Sequence, residues 1–165
     1  MGDATARFGL PFILPGQAQK ELYHNEALVR ADALLHAAVE TGPLTTPPAN
    51  PIEGQCWIVG SGASGAWSGY DHHLVTWTEG GWRFIEPLKG LRVFNLSAGF
   101  WIHWTGSIWT NGELPVSRIE VAGQQVVGER QSAIVSPSGG TIIDAEVRAA
   151  VNQIIATLMS HGLTG

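Results

Sequence analysis

The chain has 165 residues, 44% of them apolar and only 14% charged, so it holds enough material for one domain with a core and is not a disordered segment. Its net charge is −5 and its nine Lys and Arg are scattered, which leaves no basic footprint for nucleic acid. No apolar run approaches the ~20 residues of a membrane-spanning helix, and the single cysteine, Cys56, excludes an intramolecular disulfide.

Residues 1–16 are expected to be an irregular, extended arm, because Pro11, Pro15 and Gly16 oppose regular structure there. Residues 8–14 are apolar, but too short and too interrupted by Gly9 and Pro11 for a secretion signal. A helix is predicted over residues 17–39, with its segment closing by residue 41. The stretch contains no Gly or Pro and places Ala27, Ala31, Leu34, Leu35 and Ala38 on one face. Asn25, Asp32 and His36 interrupt any strict heptad, and Gly42 with Pro43 stops the helix. Four prolines between residues 42 and 51 mark a linker.

A β-domain is predicted over residues 52–130. Apolar strand signals cover residues 55–59, 74–78, 82–85, 91–96 and 100–105, with glycine-bearing turns between several of them. The seven tryptophans concentrate here. Trp77-Thr78 followed by Trp82 recurs as Trp104-Thr105 followed by Trp109, each pair spanning a glycine, which reads as two similar hairpins with a ring on either side of the turn. Further strand signals at Ile119, Val121, Val126 and Val127 flank Gly123. A second helix is predicted from Asp144 to Met159, inside a C-terminal segment of residues 141–163. Val147, Val151, Ile154, Leu158 and His161 follow the four-three spacing of a short coiled-coil seam. The fold class expected is α+β: a central tryptophan-rich antiparallel β-domain between an N-terminal helix and a coiled-coil-like C-terminal helix.

Several motifs carry chemistry in other contexts. Gly60-Ser61-Gly62-Ala63-Ser64-Gly65 has dinucleotide-loop spacing, but Ala66-Trp67-Ser68-Gly69 is no helix opening to receive a pyrophosphate. Asp71-His72-His73 and His103 lack metal-ligand spacing, since adjacent strand histidines face opposite ways. The carboxylates Glu53, Asp71, Glu79, Glu86 and Glu113 show no pairing suited to acid–base work, and there is no nucleophile elbow. No catalytic residue, metal or cofactor is therefore expected. Cys56, between Gln55 and Trp57, reads as a small buried hydrophobe. For the tryptophans, core packing is weighed against sugar stacking. Trp77, Trp82, Trp104 and Trp109, beside turns, are the saccharide-binding candidates.

The N-terminal motifs Arg7-Phe8-Gly9-Leu10-Pro11, Gly16-Gln17-Ala18-Gln19-Lys20-Glu21 and His24-Asn25-Glu26-Ala27 carry a resemblance. So do Ser64-Gly65-Ala66-Trp67, Gly80-Gly81-Trp82-Arg83-Phe84, and the tail motifs from Gly123 to Arg130, Asp144 to Arg148 and His161 to Leu163. With these the chain resembles a domain-of-unknown-function family found in tail fibre proteins of alphaproteobacterial phages and gene transfer agents. The resemblance implies a virion or phage-like particle appendage, made in the bacterial cytoplasm, that contacts host surface polysaccharide and supplies no catalytic residues. A homotrimer is expected, clasped by Val147, Val151, Ile154 and Leu158, with the N-terminal arm docking on other tail or baseplate proteins. No nucleic acid or membrane insertion is expected. A stand-alone carbohydrate-binding module is the alternative, and a polysaccharide hydrolase a third reading.

Overall fold

The computed structural model describes residues 2–13, 16, 20–142 and 144–164. The chain is α+β and divides into two compact units, residues 1–114 and 115–165. The predicted helix start at residues 17–19 lies outside the described residues.

The first unit begins with a folded-back loop where an extended arm was expected. The Thr5 amide donates to the Leu10 carbonyl at 2.9 Å, the Phe12 amide donates to the Asp3 carbonyl at 2.8 Å, and Ala4 bridges to Pro11. Helix α1 (Lys20–Leu34) follows and ends earlier than its composition predicts. Ala38–Val39 is instead a strand, β1. The reason lies at the helix end, where last-turn carbonyls need partners. Arg7 supplies them: Nη1 donates to the carbonyls of Asp32 and Ala33 at 3.1 and 3.0 Å, and Nη2 to that of His36 at 2.8 Å.

The helix also turns its other face inward. The predicted apolar face is partly outward, with Leu34 and Leu35 exposed, while Asn25, Asp32 and Ala33 are buried. Asn25 exchanges two hydrogen bonds with the Ile13 backbone, at 2.9 and 3.1 Å. Asp32 accepts from the Thr5 hydroxyl at 2.7 Å and from the amides of Arg7 and Phe8 at 2.9 and 2.8 Å. Buried polar groups are stable only when bonded in this way.

Six further strands complete this unit: β2 (Cys56–Ile58), β3 (Leu74–Thr78), β4 (Gly81–Ile85), β5 (Arg92–Asn95), β6 (Phe100–Trp104) and β7 (Trp109–Asn111). They form a three-stranded antiparallel sheet in the order β2-β3-β4, and a four-stranded sheet β1-β5-β6-β7 whose β1–β5 pair is parallel. The chain after β1 runs beside β2, with the amides of Glu40 and Leu44 donating to the carbonyls of Cys56 and Ile58.

Strand alternation gives β2 and β3 two covered faces. Cys56, Ile58 and Leu74 join Ala33, Val39, Val93 and Ile102 in one core. Trp57, Val59 and Val75 join Trp67 in a second, flanked by Trp77, Trp82 and Phe84. Cys56 is buried and free, and burial pushes its thiol pKa up, as expected of a packed rather than reactive cysteine.

The second unit holds the hairpin β8 (Ile119–Val121) and β9 (Gln124–Val127), then helix α2 (Ala145–Ser160). The hairpin is a sheet of its own, so the β-signals predicted through residue 130 fall into two units. Ala122 and Gly123 turn it with φ of 51° and 77°. Asp144 caps α2, accepting from the Val147 amide at 2.9 Å. The helix ends at Gly162, with φ 70°. The Gly162 amide donates to the Met159 carbonyl and the Leu163 amide to that of Leu158, at 2.9 and 3.0 Å, the paired bonds of a Schellman stop. Among the described residues of this unit Ile155 is the one buried apolar side chain.

Candidate functional site

The two tryptophan pairs occupy equivalent places. Trp77 is directly opposite Trp82 in the β3–β4 register, and Trp104 is opposite Trp109 in β6–β7. Their ring centroids lie 4.7 and 5.4 Å apart. The turn threonines repeat as well: the Thr78 hydroxyl donates to the Gly81 carbonyl at 2.7 Å, and the Thr105 hydroxyl to that of Ile108 at 3.0 Å. Cross-strand aromatic pairs of this kind stabilise hairpins.

Each of these four rings is engaged in packing. Trp82 also meets Trp57 and Trp67, at 5.6 and 5.2 Å. Trp104 is only 7% exposed and lies 5.4 Å from the His72 ring. The Trp109 indole N–H donates to the His72 carbonyl at 2.8 Å, which ties β7 to the turn before β3. Trp77, Trp82 and Trp109 are half-buried.

The tryptophan most open to solvent is one that turn proximity does not single out. Trp101, the second residue of β6, is 43% exposed. It stands on the outer face of the four-stranded sheet, because Ile102 and Trp104 on the other face are buried. Phe94 is its cross-strand partner, with ring centroids 5.3 Å apart and nearly perpendicular. The His36 ring approaches from the end of α1 at 6.3 Å, also edge-on.

Arg92 and His103 are opposite one another on the same face, one step along the ladder. Thr110 holds the His103 ring, with its hydroxyl 2.6 Å from Nδ1. The face is thus an aromatic centre with polar and cationic neighbours. The run Phe100-Trp101-Ile102-His103-Trp104 contains the signal, since period-two alternation pairs Trp101 with the polar His103.

The motifs set aside on sequence grounds have structural roles. The Gly60–Gly65 loop leads into a single 3-10 turn, Gly65–Trp67, and the Asp71 carboxylate holds it. The amides of Gly62 and Ala63 donate to the two Asp71 oxygens at 2.8 and 3.1 Å, and these bonds lower its pKa. A side chain at Gly60 would press within 3.3 Å of the Leu44 backbone. His72 takes a left-handed turn conformation, φ 67°, rather than a strand position. Among the described residues no group of three or more His, Cys, Asp or Glu is arranged to hold a metal ion.

A cleft of about 640 Å3 lies between the N-terminal loop, α1 and the β3–β4 turn. It is lined by Asp3, Glu21, Glu26 and Glu53, among others. Glu26 pairs with Arg83 at 2.8 Å and with Arg30 at 3.8 Å, so this carboxylate serves to hold α1 against β4.

In the second unit the seam residues Val147, Val151 and Ile154 are exposed and Leu158 is half-buried. They share one face of α2, and the buried Ile155 lies at its edge, one turn beyond Val151. Among the described residues no helix is long and apolar enough to cross a membrane.

A family model described as a protein of unknown function, DUF2793, matches residues 24–110. That span runs from α1 through β7, and so covers the two sheets, both tryptophan pairs and Trp101. The chain belongs to this family. Comparison with curated proteins finds no match.

Proposed function

We propose that this member of the DUF2793 family is a non-enzymatic structural and adhesion component, of tail-fibre or spike type, in a phage or phage-like gene transfer particle. It is made in the bacterial cytoplasm and incorporated into the particle as a homotrimer that contacts host surface polysaccharide. One observation carries the assembly. Among its described residues the C-terminal unit buries only Ile155 as an apolar side chain, while Val147, Val151 and Ile154 stand exposed on one helix face.

A helix of 16 residues is marginal in water on its own, and fully burying each such side chain is worth about 1.5–3 kcal/mol. Parallel copies of α2 would bury the seam. Arg148 is the one formal side-chain charge from residue 147 onward, so repulsion between copies is small. The N-terminal loop is assigned to contacts with neighbouring tail or baseplate proteins, and its Phe8 remains half exposed.

Light scattering on a sizing column over a range of concentrations tests the assembly, and a mass of three chains is expected. A single-chain mass at every concentration would overturn the trimer. The exposed ring of Trp101 supports a second reading, a stand-alone carbohydrate-binding module, which the same experiment separates because a module of that kind is active as a monomer.

A further inference from the structure

We propose that the outer face of the four-stranded sheet is a platform for an acidic saccharide, with Trp101 as the stacking ring and Arg92 as the partner of the sugar carboxylate. The proposal rests on the surface-contact reading above and names its site and ligand class. Trp101 is the starting point. Trp57, Trp67 and Trp104 are buried, and Trp77, Trp82 and Trp109 pack against other rings. Only Trp101 offers 43% of its surface to solvent, and it does so from a strand bonded on both sides.

That mounting matters for a weak surface ligand. Phe94 and His36 flank the ring on separate elements, and the Arg7 guanidinium fixes the His36 backbone at 2.8 Å. A preorganised ring loses little freedom on binding. Indole is an amphipathic surface with an apolar face, suited to the C–H face of a pyranose, and its place on the exposed side of a sheet suits a polymer rather than a small enclosed ligand.

The charge of the face selects the class of sugar. The chain is acidic overall, at −5, yet none of the strands β1, β5, β6 and β7 contains Asp or Glu. Arg92 is exposed, and no ion pair to it occurs among the described residues. It lies diagonally across the ladder from Trp101, about 7–8 Å between backbones for such positions. A guanidinium at that reach makes a bidentate bond to a carboxylate on the sugar that Trp101 stacks. One arginine is too small a footprint for a nucleic acid backbone.

The test titrates the full-length protein with oligogalacturonate and, separately, with neutral cellohexaose, following tryptophan fluorescence and heat. Binding of oligogalacturonate at least tenfold tighter than cellohexaose is expected. Trp101→Ala should weaken it at least tenfold, and Arg92→Gln should erase the preference for the acidic ligand. Both side chains are exposed, so an unchanged thermal midpoint checks that the variants fold.

No saturable binding of oligogalacturonate, equal affinity for the two ligands, or indifference to Trp101→Ala would overturn the proposal. Dissociation of the assembly by Trp101→Ala would also overturn it, by showing that a second copy covers the face. The assembly reading is judged separately, by solution mass. A trimer that binds neither sugar sinks the platform alone, and a monomer that binds the acidic one sinks the trimer alone.

Discussion

The Asp32 carboxylate accepts the Thr5 hydroxyl at 2.7 Å across 27 positions of sequence, and this buried bond joins the start of the chain to the last turn of α1. The backbone amides of Arg7 and Phe8 complete the cluster. Hydrogen bonds to a charged acceptor contribute more than neutral ones, and removing the acceptor strands every donor. Asp32→Ala should therefore cost about 3 kcal/mol in urea unfolding and expose residues 2–12 to protease. A change within about 0.5 kcal/mol, as for an ordinary surface substitution, would show that the loop is not held there.

Trp67 is fully buried, and among the described residues its indole N–H has no hydrogen-bond partner. Trp67→Phe removes that unsatisfied donor, which by itself is worth about 1–3 kcal/mol, and so offsets part of the lost packing. Trp67→Ala removes the same donor but leaves a much larger cavity, and should cost about 3–5 kcal/mol. Urea midpoints at fixed m-value compare the two. A smaller loss for Trp67→Phe is expected, and equal losses would mean that a ring at this position restores no packing.

Bonds from Gly62, and then from Ala63, hold the Asp71 pKa below its ordinary value. The folded chain thus gives up this proton more readily than the unfolded chain. The stabilisation is complete above the unfolded value of about 3.9 and is lost as pH falls through the lower folded value. In an NMR titration the Gly62 and Ala63 amide shifts should move together, with an apparent pKa below that of an unstructured Asp peptide. Asp71→Asn should abolish this step. Amide shifts that titrate at the peptide value would remove Asp71 as the clamp of the loop.

The seam of α2 makes a separable prediction. Val151→Asp places a charge in any self-associated interface and should reduce the trimer mass to that of one chain. Val151 belongs to a different unit from the tryptophan sheets, so the tryptophan fluorescence transition should stay in place. Loss of that transition, or an intact trimer, would count against the seam.

What the sequence revealed was mostly local. The recurring Trp-Thr pattern marks two hairpins because a turn and a period of two are both short-range properties. The stop of α2 at Gly162 is equally legible, since a positive φ there suits glycine. Its start at Asp144 is legible too, because the Asp144 carboxylate caps the helix.

Long-range partners account for what was missed. Asn25 and Asp32 look like interruptions of an apolar face until the N-terminal loop supplies their donors and acceptors. Val39 continues a helical composition but pairs with Asn95 in β5. Trp101 sits in a run where nearly every residue is aromatic or apolar. Its alternation with His103 is the one local hint of its outward direction, and the packing of Val93 and Ile102 in the core establishes it.

The Arg7 contacts with the end of α1 have a mechanical consequence. A pull on the N-terminus of the folded chain is delivered to a clasp of hydrogen bonds at Asp32, Ala33 and His36 before it can reach the strands. The clasp is the expected weak link under load. Its rupture would let the last turn of the helix unwind while the tryptophan sheets remain whole, so the molecule would lengthen by a small, recoverable step before it fails.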